Sequence, residues 1–284
     1  MSKPRPNLFI IGAMKSGTSS LHVYLDNHPQ IFMCKPKEPM FFSRESNWSK
    51  GEKEYLELFA SARDAMIIGD SSTEYSKAPK YSGVPERIAQ FNPEARFIYI
   101  MRDPVKRVIS QYWHMAQKYN ERRDMLTAIK EDSEYIAISH YAMQLSLYFK
   151  VFGRDKVAIL TLEELRKNTV NVVKKLFEWL GVDSSFTPLN LNQRENITPS
   201  NVLWQEHIVF YHLRRASCLK PVKSLIPQPM LSLAKKASGR YIDSNSVSVD
   251  SVVDFLKPIQ TEQVAALSEM LGRDFPEWTT LYSN

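Results

Sequence analysis

Cysteine is scarce in this sequence, with two among 284 residues. Two cysteines cannot form a disulfide framework, and no cluster of cysteine and histidine has the spacing of a structural zinc site. Long apolar runs are also missing, because no stretch approaches the roughly 18 residues that a membrane-spanning helix needs. The apolar stretch Leu8–Ile11 is too short to be the core of a secretory signal. We therefore expect both thiols to be reduced and the protein to stay in the cytoplasm.

The excess of positive charge is modest. The chain has 37 basic and 31 acidic residues, which gives a net charge of +6. Such an excess fits an anionic ligand or an acidic partner. Nucleic acid is not an expected partner, because no helix-turn-helix, zinc-finger or RRM-type aromatic motif accompanies the charge.

Short apolar runs alternate with longer amphipathic stretches along the chain. The predicted strands are Leu8–Ile11, Ala65–Ile68, Arg96–Met101 and Val157–Leu160. The predicted helices are Thr18–Asn27, Val84–Phe91, a helix that begins after Asp103, Tyr141–Phe152 and Leu162–Leu180. Strands separated by helices indicate an α/β fold, which we expect to be a P-loop-like three-layer domain. Its central parallel sheet should have about five strands, with helices on both faces.

No linker-like stretch divides the chain, so we expect a single domain over residues 1–284. Its core should cover about residues 7–200. The remainder, about residues 201–284, is expected to be a basic, helical appendage without strands.

The segment from Leu8 to Ser20 has the order strand, glycine loop, helix. Gly12 and Gly17 are spaced as in the phosphate-binding P-loop, where backbone N–H groups and the helix N-terminus surround an anion. The lysine that normally follows the second glycine is absent, because Thr18 stands there and Lys15 lies inside the loop. This pattern predicts a phosphate-binding loop that differs from those of ATP-dependent enzymes.

A cation also stands at the end of the strand Arg96–Met101, where Arg102 precedes Asp103. P-loop enzymes that use ATP place a hydroxyl and a carboxylate on magnesium. An arginine in this position would repel magnesium and attract a second phosphate. The two segments together therefore favour a phosphate ester bound without a metal.

At this point the two segments resemble the phosphate motifs of sulfotransferases that use 3'-phosphoadenosine-5'-phosphosulfate (PAPS). The similarity is strongest to the heparan-sulfate-type branch and its bacterial relatives, and it covers roughly residues 7–182. The resemblance implies PAPS as co-substrate, release of 3',5'-ADP and sulfuryl transfer to an acceptor hydroxyl or amine. The residues implied for the 5'-phosphate are Lys15, Ser16, Gly17, Thr18 and Ser19, and those for the 3'-phosphate are Arg102 and Ser110.

The resemblance also implies catalytic residues. Lys35–Phe42 resembles the segment that carries the catalytic glutamate, which makes Glu38 the expected general base. Lys15 would stabilise charge on the leaving oxygen. His114 is a second candidate base in these motifs.

The acceptor site is less well defined by the sequence. Asp70, Glu74 and Tyr141 are the expected acceptor contacts. In the glycosaminoglycan enzymes the loop that resembles Gly69–Tyr75 usually has a lysine beside its acid, whereas this chain has Ser71, which weakens the case for heparan sulfate as the acceptor. A saccharide, a lipid, a carrier-bound chain and a small alcohol or phenol all remain open. Arg194 and Asn196 lie in a polar loop that is expected to cover the nucleotide.

Two other functions are compatible with the glycine loop. One is a nucleotide-dependent kinase, and the other is a non-catalytic module that binds anions or glycans. The segment 207–242 has no acidic residue and carries the basic residues Arg214, Arg215, Lys220, Lys223, Lys235, Lys236 and Arg240. It is interpreted as plain surface, as a lid over the acceptor, or as a peripheral contact with an anionic membrane or carrier.

Overall fold

In the computed structural model of this chain, the described residues are 4–62, 64–188, 191, 201–206 and 239–282. Five parallel strands form one sheet in the order β2-β3-β1-β4-β5. The strands are β1 Leu8–Gly12, β2 Ile31–Met33, β3 Ile67–Ser71, β4 Arg96–Met101 and β5 Val157–Thr161. The predicted parallel sheet of about five strands is confirmed.

Two details of the sheet differ from the sequence prediction. β2 was not predicted, because three residues are too few to show a periodic pattern. β3 begins and ends later than the predicted Ala65–Ile68 and includes Gly69, Asp70 and Ser71. Gly69, Asp70 and Ser71 are buried although they are small or polar. A search for apolar runs therefore does not identify them as part of a strand.

Helices cover both faces of the sheet. They are α1 Thr18–Asp26, α2 Glu45–Trp48, α3 Lys53–Glu57, α4 Val84–Phe91, α5 Pro104–Tyr119, α6 Met125–Glu131, α7 Glu134–Ala137, α8 Tyr141–Phe152, α9 Leu162–Lys167, α10 Thr169–Leu180, α11 Asp250–Leu271 and α12 Thr279–Tyr282, with a 3₁₀ helix at Thr73–Ser76. Because side chains alternate along a strand, Leu8 and Ile10 pack in one core with α1 and α10. Phe9 and Ile11 pack in the other core with α4, α5, α8 and α11.

The helix that was predicted over Leu162–Leu180 is two helices, α9 and α10, which meet at Asn168. The Asn168 side chain accepts a hydrogen bond from the backbone N–H of Asn171, and so begins α10. Asparagine competes with helical hydrogen bonding in this way, which the apolar periodicity of the segment does not show.

The expectation of no strands after about residue 201 is wrong. β6 Asn201–Glu206 and β7 Gly239–Asp243 form an antiparallel pair. The strands are far apart in sequence, so their pairing is a long-range contact that no local turn signal announces. α11 packs against α5 and α8, and Trp278 is fully buried against the ring of Tyr141. The C-terminal helices therefore share the core of the sheet. None of the helices within the described ranges has the length and apolar character required to cross a bilayer.

Candidate functional site

A cavity of about 740 Å³ opens where the carboxyl ends of the parallel strands meet. Loops that follow β1, β3, β4 and β5 all reach this edge of the sheet, which is the usual ligand position in such folds. The structure brings most of the predicted site residues to its wall. Those residues are Lys15, Gly17, Thr18, Ser19, Glu38, Glu74, Arg102, Ser110 and His114.

The glycine loop turns sharply between β1 and α1. Gly17 has φ +94 and immediately precedes α1, and a Cβ atom on it would lie 2.7 Å from Cδ1 of Leu162. A side chain at this position would therefore be strained by its backbone and crowded by α9. Ser16, which precedes Gly17 in the loop, is fully buried, and its Oγ has no hydrogen-bond partner among the described residues.

Two cations of the site lie close together. Nη1 of Arg102 donates a hydrogen bond to the backbone oxygen of Lys15 at 3.2 Å. Burial, together with the charges of Arg102 and Lys118, lowers the pKa of Lys15 to about 8. Burial, followed by the charge of Arg166, also lowers the pKa of Arg102. Burial therefore disfavours the charged forms of the Lys15 and Arg102 side chains, and a bound anion would stabilise those charged forms.

α5 presents one face to the cavity. Its N-cap is Asp103, whose side chain accepts from the backbone N–H groups of Val105 and Lys106 at 3.1 Å, as the Asp-Pro sequence predicts. Ser110 and His114 are four residues apart on this helix and both line the cavity. Burial lowers the pKa of His114 to about 4, with the charges of Lys15 and Lys118 acting in the same direction, so its imidazole is neutral at pH 7.

Glu38 is held from two sides. Its carboxylate accepts hydrogen bonds from the backbone N–H of Thr73 at 3.0 Å and from the Thr73 hydroxyl at 3.2 Å. Nζ of Lys37 donates to Glu38 Oε1 at 2.8 Å and to the Thr18 hydroxyl at 3.5 Å. The Glu38 side chain keeps 25% of its surface exposed and lines the cavity. These contacts orient a carboxylate toward the same space as the glycine loop.

Asp70 does not line the cavity, so the predicted acceptor contact does not fit its position. The residue is fully buried, and its carboxylate accepts hydrogen bonds from the hydroxyls of Tyr55 at 2.8 Å, Tyr75 at 2.7 Å and Ser72 at 2.8 Å. Burial raises the pKa of Asp70 to about 6, although the three hydroxyls act in the opposite direction. Asp70 thus fixes the end of β3 and the loop beyond it.

Tyr141 and Glu74 also differ from simple acceptor contacts. Tyr141 is buried, and its hydroxyl donates a hydrogen bond to the backbone oxygen of Arg102 at 2.7 Å. It therefore positions the backbone of that arginine. Glu74 does line the cavity, but Arg44 binds both of its carboxylate oxygens, at 2.7 and 3.0 Å. Burial alone would raise the pKa of Glu74, but the Arg44 hydrogen bonds and charge outweigh it, and the pKa is lowered.

Sequence reasoning missed several residues of the cavity wall, namely Lys37, Thr73, Lys77, Lys118 and Arg166. Lys118 follows Ser110 and His114 at the same helical spacing, which is a signal that the sequence offered. Arg166 lies one turn into α9, the helix that follows β5. It comes near Arg102 because β4 and β5 are neighbours in the sheet, which the sequence does not show. The predicted nucleotide contacts Arg194 and Asn196, and all but the last residues of the basic segment 207–242, lie outside the described residues.

Comparisons with known proteins identify sulfotransferases as similar to this chain. Two curated relatives are the mouse bifunctional heparan sulfate N-deacetylase/N-sulfotransferase 4, 22% identical over 96% of this chain, and the mouse heparan sulfate glucosamine 3-O-sulfotransferase 3A1, 25% identical over 96%. The chain spans 31% of the length of the first and 65% of the second. The crystal structure of a sulfotransferase from Alicyclobacillus acidocaldarius aligns with a TM-score of 0.70 and 25% identity, over 97% of this chain and 99% of that one.

A family model described as "Sulfotransferase family" matches residues 6–188, which include the glycine loop, Glu38, Arg102 and α5. That range is more than half of the 284 residues. The chain therefore belongs to the sulfotransferase family.

Proposed function

We propose that this chain transfers the sulfuryl group of PAPS to a hydroxyl or amine of an acceptor and releases 3',5'-ADP. One observation carries the proposal: a glycine loop with Lys15, a second cationic group at Arg102 and an oriented carboxylate at Glu38 line the same cavity. Separate anion-binding groups suit a nucleotide with phosphates at both ends of its ribose. A carboxylate beside them suits removal of a proton from the acceptor.

The donor groups of the cavity fit such a nucleotide. The hydroxyls of Thr18 and Ser19 stand with Lys15 at the start of α1, where the helix N-terminus favours an anion, and would hold the 5'-phosphate. Arg102 and Ser110 would hold the 3'-phosphate. Within the parts of the chain that the structure describes, no group of three acidic, histidine or cysteine side chains is arranged to hold a metal. Metal independence stays a prediction.

Sulfuryl transfer forms a bond between the acceptor oxygen or nitrogen and sulfur, and it breaks the bond between sulfur and the 5'-phosphate oxygen. In this proposal Glu38 accepts the proton of the acceptor, because its carboxylate is held on the cavity wall by Thr73. Lys15 stabilises the negative charge that develops on the leaving oxygen. His114 is neutral and next to Lys15, so it offers a hydrogen-bond acceptor without adding charge.

A saccharide is the acceptor class that the relatives support, since the names of both curated relatives specify heparan sulfate. The cytoplasmic location and the membrane or carrier contact of segment 207–242 stay predictions. Cell fractionation would test the first, and vesicle binding after replacing Lys220, Lys223, Lys235 and Lys236 by serine would test the second.

Calorimetry and a transfer assay together test the proposal. The full chain should bind 3',5'-ADP without magnesium, and it should transfer radiolabelled sulfate from PAPS to material in an extract of its own cells. Glu38→Gln should lower transfer about 100-fold or more with nucleotide affinity retained, because it removes the base. Glu54→Gln, an exposed glutamate on α3 away from the cavity, is the matched control.

The same assays separate the two other functions. A kinase would bind ATP with magnesium more tightly than 3',5'-ADP and would turn it over. A non-catalytic module would bind 3',5'-ADP but transfer no sulfate, and Lys15→Ala would then lower affinity alone. Either result would contradict the proposal.

A further inference from the structure

The proposed base lies in a short segment, residues 38–41, whose backbone is bound to the end of β3, and we call it the base segment. Pro39 has no N–H group, and the other three N–H groups all donate to residues at the end of β3 or just after it. Glu38 donates to the backbone oxygen of Ser71 at 3.0 Å, Met40 to the hydroxyl of Ser72 at 3.2 Å and Phe41 to the hydroxyl of Tyr75 at 3.1 Å. These contacts satisfy every backbone donor of the base segment.

The backbone conformation of the base segment depends on such contacts. Glu38 has φ 65° and Met40 has φ 55°, in the left-handed region that residues other than glycine seldom adopt. A conformation of this kind persists where the surrounding structure holds it. The direction of the Glu38 side chain therefore depends on the hydrogen bonds that the hydroxyls of Ser72 and Tyr75 accept.

Asp70 determines how these two hydroxyls are oriented. They donate to the Asp70 carboxylate, Ser72 at 2.8 Å and Tyr75 at 2.7 Å, and all three residues are buried. A backbone N–H group can only donate, so each hydroxyl must turn a lone pair toward the base segment and direct its single proton elsewhere. An ionised carboxylate can only accept, and it takes both protons. Burial raises the pKa of Asp70 to about 6, so the group is mostly ionised at pH 7 and above.

We infer that Asp70 is a positioning residue for sulfuryl transfer. It acts through the hydroxyls of Ser72 and Tyr75, which fix the base segment and so hold the carboxylate of Glu38 at the cavity. The inference rests on the proposed function, because it requires Glu38 to be the group that takes the acceptor proton. Asparagine at position 70 would turn an amide NH₂ group toward one of the hydroxyls, whose proton would then be buried without this acceptor.

Two buried tyrosines provide a matched comparison. Tyr55 and Tyr75 both donate to Oδ2 of Asp70, at 2.8 and 2.7 Å, and are 4% and 2% exposed. The Tyr75 hydroxyl also accepts from Phe41, whereas the hydrogen bond of the Tyr55 hydroxyl within the described ranges is the one to Asp70. Replacing either ring by phenylalanine therefore removes the same bond to Asp70, but only Tyr75→Phe frees the base segment.

Sulfate transfer at saturating PAPS should separate the two variants. Tyr75→Phe and Asp70→Asn should each lower the rate about tenfold or more, and Tyr55→Phe less than about threefold, because a small displacement of a catalytic group is costly. The affinity for 3',5'-ADP should stay the same in all three. Equal losses of rate in Tyr55→Phe and Tyr75→Phe, or a full rate in Asp70→Asn, would overturn the inference.

A double-mutant cycle shows whether the effect passes through Glu38. Once Glu38→Gln has removed the base, adding Tyr75→Phe should lower the residual rate less than about threefold. A purely structural role would lower the rate by the same factor in both backgrounds, and that result would contradict the inference.

Amide hydrogen exchange of the full chain, followed by mass spectrometry, tests the geometry without turnover. Peptides from the base segment should exchange at least about tenfold faster in Tyr75→Phe, Asp70→Asn and Ser72→Ala than in Tyr55→Phe. The same exchange rate in all four variants would refute the inference even if no acceptor were found. Absence of transfer by the wild-type chain, or full transfer by Glu38→Gln, would instead count against the proposed function.

Discussion

Raising the pH above 8 should weaken binding of 3',5'-ADP, because Lys15 then loses its proton in the free protein. Burial and the neighbouring charges of Arg102 and Lys118 lower the pKa of Lys15 to about 8. A phosphate that binds beside the ammonium group favours its charged form and raises the pKa again. Above pH 8 the protein must therefore take up a proton when the nucleotide binds, and the affinity falls as the proton becomes scarcer.

The size of the effect follows from the titration of one group. With a pKa of about 8, Lys15 is mostly protonated at pH 7 and only about 3% protonated at pH 9.5. If the bound nucleotide keeps the lysine charged, the dissociation constant rises about 30-fold over that interval, which is about 2 kcal/mol. The phosphates of 3',5'-ADP have second pKa values of about 6 and are almost fully ionised in this range, so they contribute little to the change.

Isothermal titration calorimetry between pH 7 and 9.5, in buffers with different ionisation enthalpies, measures both affinity and proton uptake. The wild-type chain should take up close to one proton per nucleotide near pH 9. Lys15→Arg should show a flat pH dependence, because the guanidinium group stays protonated throughout. An affinity for 3',5'-ADP that is the same at pH 7 and 9.5 in the wild-type chain would refute the assignment of Lys15 to the phosphate site.

Three further predictions concern the nucleotide site and the support beneath it. Ser110→Ala should weaken binding of 3',5'-ADP about 10- to 100-fold and leave binding of 5'-AMP unchanged, because a hydrogen bond to a charged phosphate is lost. Gly17→Ala should lower the free energy of unfolding by about 1–3 kcal/mol in urea, since the new Cβ meets Leu162 at a positive φ. Burial raises the pKa of Asp70 to about 6, so ionisation of Asp70 should destabilise the native state by about 2 kcal/mol as the pH rises from 4 to 7, and Asp70→Asn should remove this pH dependence.

Each of these has its own control. Equal losses of 3',5'-ADP and 5'-AMP affinity in Ser110→Ala would mean that the serine does not face the 3'-phosphate. Gly51→Ala is matched to Gly17→Ala, because it has φ +78 but no atom within 4 Å of its Cβ, and equal destabilisation would rule out the contact with Leu162. Between pH 4 and 6 the Asp70 carboxyl keeps its proton in the native state but has lost it in the unfolded state. The unfolding free energy of the wild-type chain should therefore fall, relative to that of Asp70→Asn, as the pH rises. A constant difference would contradict the raised pKa.

Local sequence determined the parts of the site that depend on neighbours along the chain. Gly12 and Gly17 bracket a turn that only a short list of backbone conformations allows, and the helix begins directly after it. Asp103 caps α5 by accepting hydrogen bonds from the backbone N–H groups two and three residues further along the chain. Ser110 and His114 follow at helical spacing, which places them on one face wherever the helix lies. The α/β fold could also be predicted from the sequence, because apolar strands that alternate with amphipathic helices form a parallel sheet with helices on both faces.

Tertiary structure decided which charges meet. The sequence shows Glu74 and Arg44 as separate residues, and only packing of the 3₁₀ helix against the loop before α2 joins them into an ion pair. Asp70 was expected to contact the acceptor because its loop resembles the one that carries an acid in the glycosaminoglycan enzymes, but the structure encloses its carboxylate between Tyr55 and Tyr75.

What the sequence by itself determined is therefore a glycine loop between β1 and α1, a cation after β4 and an α/β framework, all of which rest on short-range geometry. What only the tertiary structure decided is the position of Arg166 near Arg102, the removal of Asp70 from the cavity and the pairing of Glu74 with Arg44. The physical reason is that a charge acts over several ångströms of space, whatever the number of residues between the groups, and burial sets how strongly it acts.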